Sequence, residues 1–199
     1  EMAPDPVCPN PLINQPTMSS AIFEGDRANR YDAFINKWMP GYAALQQALP
    51  HILEQYLPQT SDPKLLITGS GTGTELLHLA DSKPNWRLLG VDPSPDMVAQ
   101  SREKLANYSR VNIQEGYVSN LPVEEAFDGA TLLLVMHFLP DDGAKADLLH
   151  SIAQRLRKGA PLVLLDIFGD SNTLQQNLAL LGSFLPEVPA EEVAERISG

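Results

Sequence analysis

The stretch LLITGSGTG, from Leu65 to Gly73, carries most of what the sequence says about its fold. A short apolar run ends in three glycines at alternate positions, Gly69, Gly71 and Gly73. The run, taken from Lys64 to Thr68, is a candidate buried strand, and Thr74 to Leu79 behind it begins a helix. One glycine suffices for a plain turn between strand and helix. Three at this spacing give a backbone that admits positive φ and leaves room for a ligand to lie against it. A pyrophosphate-binding turn has the spacing G-x-G-x-x-G, which would need glycine where Thr74 stands. The observed G-x-G-x-G suits a ligand that needs a close, smooth backbone rather than a phosphate held at a helix N-terminus.

Toward the C-terminus, short apolar runs alternate with helical stretches. Strands are expected at Trp86 to Val91, Val111 to Gln114, Gly129 to Met136 and Pro161 to Ile167. Helices are expected at Pro95 to Tyr108 and at Ala144 to Arg157, the latter ended by Lys158-Gly159. Ser171 would cap a last long helix through Leu185. The strands are apolar throughout rather than at every other position, which implies a parallel sheet covered on both faces. Toward the N-terminus, Ile22, Phe23, Tyr31, Phe34, Ile35 and Trp38 suggest partly helical chain, interrupted by Pro40-Gly41. Tyr42, Leu45, Leu49, Ile52, Leu53 and Tyr56 then follow helical spacing. Prolines at 4, 6, 9, 11 and 16 make the first residues an extended arm. The chain thus divides into an arm (1–18), a helical cap (19–62) and an α/β domain (63–199). Ligands bind at the C-terminal edge of open parallel sheets, and the cap is expected to cover that edge.

Composition narrows the function. The chain has 199 residues with 43% hydrophobic and 20% charged content, as a globular domain has. Its 25 acidic against 14 Lys and Arg residues give a net charge of −11. Such a surface repels phosphate backbones, so no nucleic-acid partner is expected. The densest basic cluster, Arg155, Arg157 and Lys158, is expected at a helix C-terminus, where cations suit the helix dipole. The single cysteine, Cys8, excludes an intrachain disulfide and fits a reducing, cytoplasmic setting. No apolar run reaches the roughly 18 to 20 residues that span a bilayer, and no membrane partner is expected. The first residues lack the basic start and apolar stretch of a secretory signal. No H-E-x-x-H, cysteine pair or cluster of His and Asp suggests a metal.

The second expected strand runs into LLGVDPSPDM, which places Asp92 just beyond it. A carboxylate there can accept hydrogen bonds from both hydroxyls of a ribose. With this acid in place the chain resembles the class I S-adenosylmethionine-dependent methyltransferases. The resemblance runs from about Lys64 to Asp170 through LLITGSGTG, GVDPSPDMVAQSREKL, EGYVSNLP, FDGATLLLVMHFLPDD and LLHSIAQRLRKGAPLVLLDIFG, in the family's order. It implies a doubly wound, mostly parallel Rossmann-like sheet and S-adenosylmethionine as cofactor.

By that resemblance Gly69, Ser70, Gly71, Thr72 and Gly73 pass beside the methionine part of the cofactor. Asp92, followed by Pro93, holds the ribose, and Met97 covers the adenine. The family's usual adenine-binding aspartate is replaced by Tyr117, leaving the backbone of Val118 for that role. Met136, His137 and Phe138 line the reaction centre. The acid often found two positions before the first glycine is replaced by Ile67. The family also ends in an antiparallel strand pair that residues 171 to 199 do not evidently contain. Either the chain continues beyond Gly199 or the sheet is completed differently. A bare sheet edge invites pairing with a second copy, so a homodimer is an open expectation.

Methyl transfer from a sulfonium needs alignment and exclusion of water rather than a metal. His137, at the ligand edge and able to titrate near neutral pH, is the candidate base. Tyr31, Trp38 and Tyr42 of the cap are candidates to contact the sulfonium or a substrate. The expected activity is methyl transfer to a small molecule. Three other readings stay open: a non-catalytic S-adenosylmethionine-binding domain, an enzyme like the carboxy-S-adenosylmethionine synthases (which WMPGYAALQQAL resembles) and, disfavoured by the glycine spacing, an NAD-dependent oxidoreductase.

Overall fold

The computed structural model describes residues 25–39, 41–123 and 127–167, together with 176, 180 and 183. The expected arm, and all but three residues of the expected last helix, lie outside them. In chain order the elements are α1 (Asp26–Trp38), α2 (Tyr42–Tyr56), β1 (Lys64–Thr68), α3 (Thr74–Ser82), β2 (Arg87–Asp92), α4 (Pro95–Lys104), β3 (Val111–Glu115), β4 (Gly129–Leu133), α5 (Ala144–Ala153) and β5 (Leu162–Leu165). Short 3₁₀ turns follow β3 at Val118–Asn120 and β4 at Met136–Phe138.

The five strands form one parallel sheet in the order β3-β2-β1-β4-β5. The chain moves outward from β1 through β2 to β3, then returns to the other side of β1 with β4. Carboxyl ends of β1 and β4 therefore flank a topological switch point, where loops leave in opposite directions and open a crevice. The glycine turn leaves β1 at that crevice.

The central strands are buried on both faces, as continuous apolar runs require: β4 is buried along its whole length and β1 from Leu65 onward. The edge strands β3 and β5 are only half-buried. One face packs Leu65, Ile67, Leu76, Leu79, Trp86 and Leu105 against Leu49, Leu53 and Leu57, so α2 belongs to the core as well as covering the sheet. The other face packs Leu66, Val91, Phe127, Leu132 and Ile152.

Several elements end sooner than the periodicity suggests. α4 stops at Lys104 rather than Tyr108: Tyr108 N donates to Leu105 O in a tight turn, and the phenol reaches Asp81 Oδ1 at 2.6 Å. β4 stops at Leu133 rather than Met136, because Leu134 takes φ 57° and turns the chain away. β5 keeps only Leu162–Leu165 of the expected run. α5 stops at Ala153 rather than Arg157. The basic cluster beyond it is not a solvated helix end. Arg155 is buried, donating to Ser151 O, Ser119 O and Leu121 O, and Arg157 pairs with the buried Asp128. The Arg155 guanidinium satisfies carbonyls of the β3–β4 connection, Ser119 O and Leu121 O.

Gly69 has φ 69°, and a Cβ on it would sit 2.3 Å from Val135 Cγ2. Gly143 also has positive φ, 109°, but open space around it. Gly69→Ala should therefore cost about 2–4 kcal/mol of stability and Gly143→Ala about 1–2 kcal/mol, by backbone strain alone in the second case. Urea denaturation of both variants measures the difference, and equal losses would contradict it.

Candidate functional site

The turn after β1 is tied to the end of β2. Gly69 N and Ser70 N both donate to Val91 O, at 2.8 and 3.2 Å. Gly71 N donates to Asp92 Oδ2 at 2.8 Å, and Ser94 N donates to Asp92 Oδ1 at 2.9 Å. Asp92 is buried, which pushes its pKa up, while the Ser94 and Gly71 amides oppose the rise. Each carboxylate oxygen keeps a further lone pair for an incoming donor. Gly69 and Gly73 are required by the protein itself, since a Cβ would meet Val135 at the first and Ser101 and Leu105 at the second. Gly71 meets nothing of the protein within 4 Å. Its bare face is the part of the turn left open to something else.

α1 closes over this turn. Asp32 accepts from Thr72 Oγ1 at 2.6 Å, Thr74 Oγ1 at 3.1 Å and Lys104 Nζ at 3.0 Å, joining cap, turn and α4. Burial acts to raise the Asp32 pKa, but the Thr72 and Lys104 hydrogen bonds and the Lys104 charge outweigh it and hold the carboxyl below its ordinary value. Between cap and turn lies a cavity of about 40 Å³, lined among others by Tyr31, Tyr42, Gln46, Gly69, Ser70 and Glu75. Burial raises the Tyr31 phenol to about 12, with the charges of Asp32 and Asp92 adding to it. The Tyr42 phenol is raised too, first by burial and then by Glu75. Both phenols therefore remain neutral.

Glu75, in the first turn of α3, is 6% exposed, and its Oε1 has no hydrogen-bond partner. Burial raises its pKa to about 7. The Thr131 hydroxyl tempers the rise without reaching hydrogen-bonding geometry. The neighbouring Ser70 Oγ is buried and unpartnered as well.

A second polar cluster lies across the crevice. Asp166, just past β5, accepts from Val135 N at 3.1 Å, Met136 N at 2.5 Å and His137 Nδ1 at 2.6 Å. Its side chain is 1% exposed and that of His137 is 25% exposed. Burial would raise the Asp166 pKa, but the Ile167 amide, His137 and the Met136 amide lower it, so the carboxylate stays ionised. Leu134, buried with φ 57°, is the only non-glycine residue with positive φ among the described residues. Strain of this kind, of order 1–3 kcal/mol, persists only where the surroundings impose it. Here Leu134 N bonded to Leu165 O and the Asp166 carboxylate behind Val135 impose it.

The expected site residues fall into three groups. Gly69 to Gly73, Asp92, Tyr31 and Tyr42 surround the turn and its cavity. Half-buried Pro93 leads to Met97, which is buried at the start of α4; Val118 is buried in the turn after β3, and Tyr117 N bonds Asn120 Oδ1 at 2.9 Å. Met136 and His137 stand on the turn after β4. Trp38 lies apart from the cavity, 9% exposed and stacked on Phe34 at 6.1 Å. Ile67 is wholly buried in the core. Asp32, Glu75 and Asp166 were not anticipated. Glu75 carried a signal, since it lies on the same stripe of α3 as buried Leu76, Leu79 and Ala80. Asp166 carried one too, as an acid ending the apolar run PLVLLD.

Residues 66–162 match the model of a methyltransferase domain. The carboxy-S-adenosyl-L-methionine synthase of Nautilia profundicola is 30% identical over 93 residues, 47% of this chain and 39% of that protein. Its namesake from Actinobacillus succinogenes is 27% identical over 163 residues, 79% of this chain and 66% of that protein. The chain thus spans less than two thirds of the length of either. Among solved structures, the plantazolicin methyltransferase BpumL in complex with S-adenosylhomocysteine superposes with a TM-score of 0.64 at 18% identity, over 88% of this chain and 64% of that one.

Because Glu75 binds its proton more tightly folded than unfolded, its contribution to stability is full below about pH 4.5 and is lost as pH rises toward 7. Glu75→Gln removes this loss. Relative to the native chain, the variant should gain up to about 3 kcal/mol of unfolding free energy between about pH 4.5 and 8. Urea denaturation at the two pH values checks it, and parallel profiles would contradict the buried, proton-binding state.

Proposed function

We propose that the chain binds S-adenosylmethionine and transfers its methyl group to a small-molecule acceptor, starting from the match of residues 66–162 to a methyltransferase-domain model and from a Rossmann-like fold shared with a methyltransferase solved with S-adenosylhomocysteine. One observation carries the reading. The Asp92 carboxylate closes the end of β2 onto the amide of Gly71, the one glycine of this turn whose bare face no protein atom covers. The residues fit such a cofactor: a buried acid with spare lone pairs for ribose hydroxyls, an open backbone turn, and buried Met97 and Val118 as apolar neighbours for an adenine.

When bound, S-adenosylmethionine supplies a methyl group already activated by a positive sulfur. The chain's part is to align, to exclude water and to manage the acceptor's proton. Tyr31 and Tyr42, kept neutral by burial, give the cap side an uncharged aromatic lining. Asp166 holds His137 by Nδ1, which leaves Nε2 as the ring nitrogen presented outward. On this reading His137 takes the acceptor proton at Nε2, and Asp166 positions the ring. The net charge of −11 favours a small acceptor over a nucleic acid. No described helix is long and apolar enough to cross a membrane. Both carboxy-S-adenosyl-L-methionine synthases above favour a second reading, in which the sulfonium compound itself is modified or bound in carboxylated form. Mass spectrometry of the sulfonium compound retained by the purified protein separates the two.

Calorimetric titration should show that S-adenosylmethionine and S-adenosylhomocysteine bind and that NADH does not. Asp92→Ala should weaken both by about tenfold or more, the worth of a charged hydrogen bond. Binding unaffected by Asp92→Ala would contradict the ribose assignment. Across a panel of small acceptors, His137→Ala should lower kcat about 100-fold or more while S-adenosylhomocysteine affinity stays within a factor of about two. An unchanged kcat would remove His137 from the mechanism.

A further inference from the structure

We propose that Glu75 and Ser70 form the subsite for a primary ammonium group, which on the reading above is that of the amino-acid end of S-adenosylmethionine. Glu75 and Ser70 both line the cavity, and Glu75 Oε1 and Ser70 Oγ are both buried without a hydrogen-bond partner. Buried polar atoms are nearly always paired, so two orphans on residues that line one cavity mark a place where a donor belongs. One hydroxyl of the protein, Thr131 Oγ1, acts on Glu75 without reaching hydrogen-bonding geometry. Lys104, the cation at this end of the turn, is engaged by Asp32, Thr72 and Thr74. No salt bridge among the described residues reaches Glu75.

The chemistry selects an ammonium over other cations. A sulfonium has no N–H and would leave Oε1 unpaired, whereas an ammonium brings three donors, enough for both oxygens. Its size suits a cavity of about 40 Å³, close to the space one water occupies. The other titratable groups facing this space are Tyr42 from α2 and Tyr31 and Asp32 from α1. Both phenols stay neutral, and Asp32 is already ionised and paired. Glu75 is therefore the group free to change charge when a cation arrives. Protonated in its buried state, it would release that proton to the solvent and bind the ammonium as a carboxylate.

The inference rests on the cofactor reading, so its test uses two compounds that share adenosine and differ at the amino-acid end. S-adenosylhomocysteine carries the ammonium, and 5′-methylthioadenosine lacks the amino-acid group. Both are titrated near pH 6 in buffers of different ionisation heat. For the native chain, S-adenosylhomocysteine should release about one more proton than 5′-methylthioadenosine. In Glu75→Gln that difference should vanish, S-adenosylhomocysteine should bind about tenfold or more weakly, and 5′-methylthioadenosine should bind as before. Retained 5′-methylthioadenosine binding also shows that the variant is folded. Unchanged S-adenosylhomocysteine affinity, or proton release that persists in the variant, overturns the assignment. Equal loss of both compounds makes Glu75 a structural support of the turn and overturns it too. If the native chain binds neither compound, the cofactor reading itself fails, and the subsite with it.

Discussion

The carboxylate of Asp92 is the point on which the site depends. It ends β2, accepts from Ser94 at the entrance to α4 and accepts from Gly71 in the turn after β1. Two connections at the carboxyl edge are thus held by one side chain. A buried charge is costly, and the two amides offset part of that cost without saturating the oxygens. Gly69 and Ser70 donate to the carbonyl just before it, so backbone and side chain of the same strand end hold the turn. The parallel sheet supplies the setting, because its order reverses between β1 and β4 at this edge.

Around that point the helical section acts in two ways. Leu49, Leu53 and Leu57 are built into the core beside β1 and α3. α1, by contrast, meets the turn through the polar network centred on Asp32. The cavity beneath it holds about 40 Å³, far less than an adenosyl compound needs. An apolar core resists displacement, whereas a partly exposed network of hydrogen bonds exchanges with water at small net cost.

Much of this was legible in the sequence. Alternating apolar runs and helical stretches gave the strand order's raw material, and β1 lies where LLITGSGTG placed it, from Lys64 to Thr68. Asp92 stands where a ribose-binding acid was expected, and the glycines line the turn. Helix and strand ends were less legible because tertiary contacts outweigh periodicity there. Tyr108 leaves α4 for Asp81, and Arg155 leaves the end of α5 to satisfy Ser119 and Leu121. The least legible residues were acids whose partners are far away in sequence. Asp166 serves Val135 to His137 from a different strand, and Asp32 serves Thr72 and Lys104 from the cap. Glu75 was more legible, because it shares the stripe of α3 that buries Leu76, Leu79 and Ala80.

The most direct measurement is a crystal structure of the chain grown with S-adenosylhomocysteine. The account predicts both ribose hydroxyls on the Asp92 carboxylate and the ligand chain against the bare face of Gly71. A ribose bound away from Asp92 would contradict it.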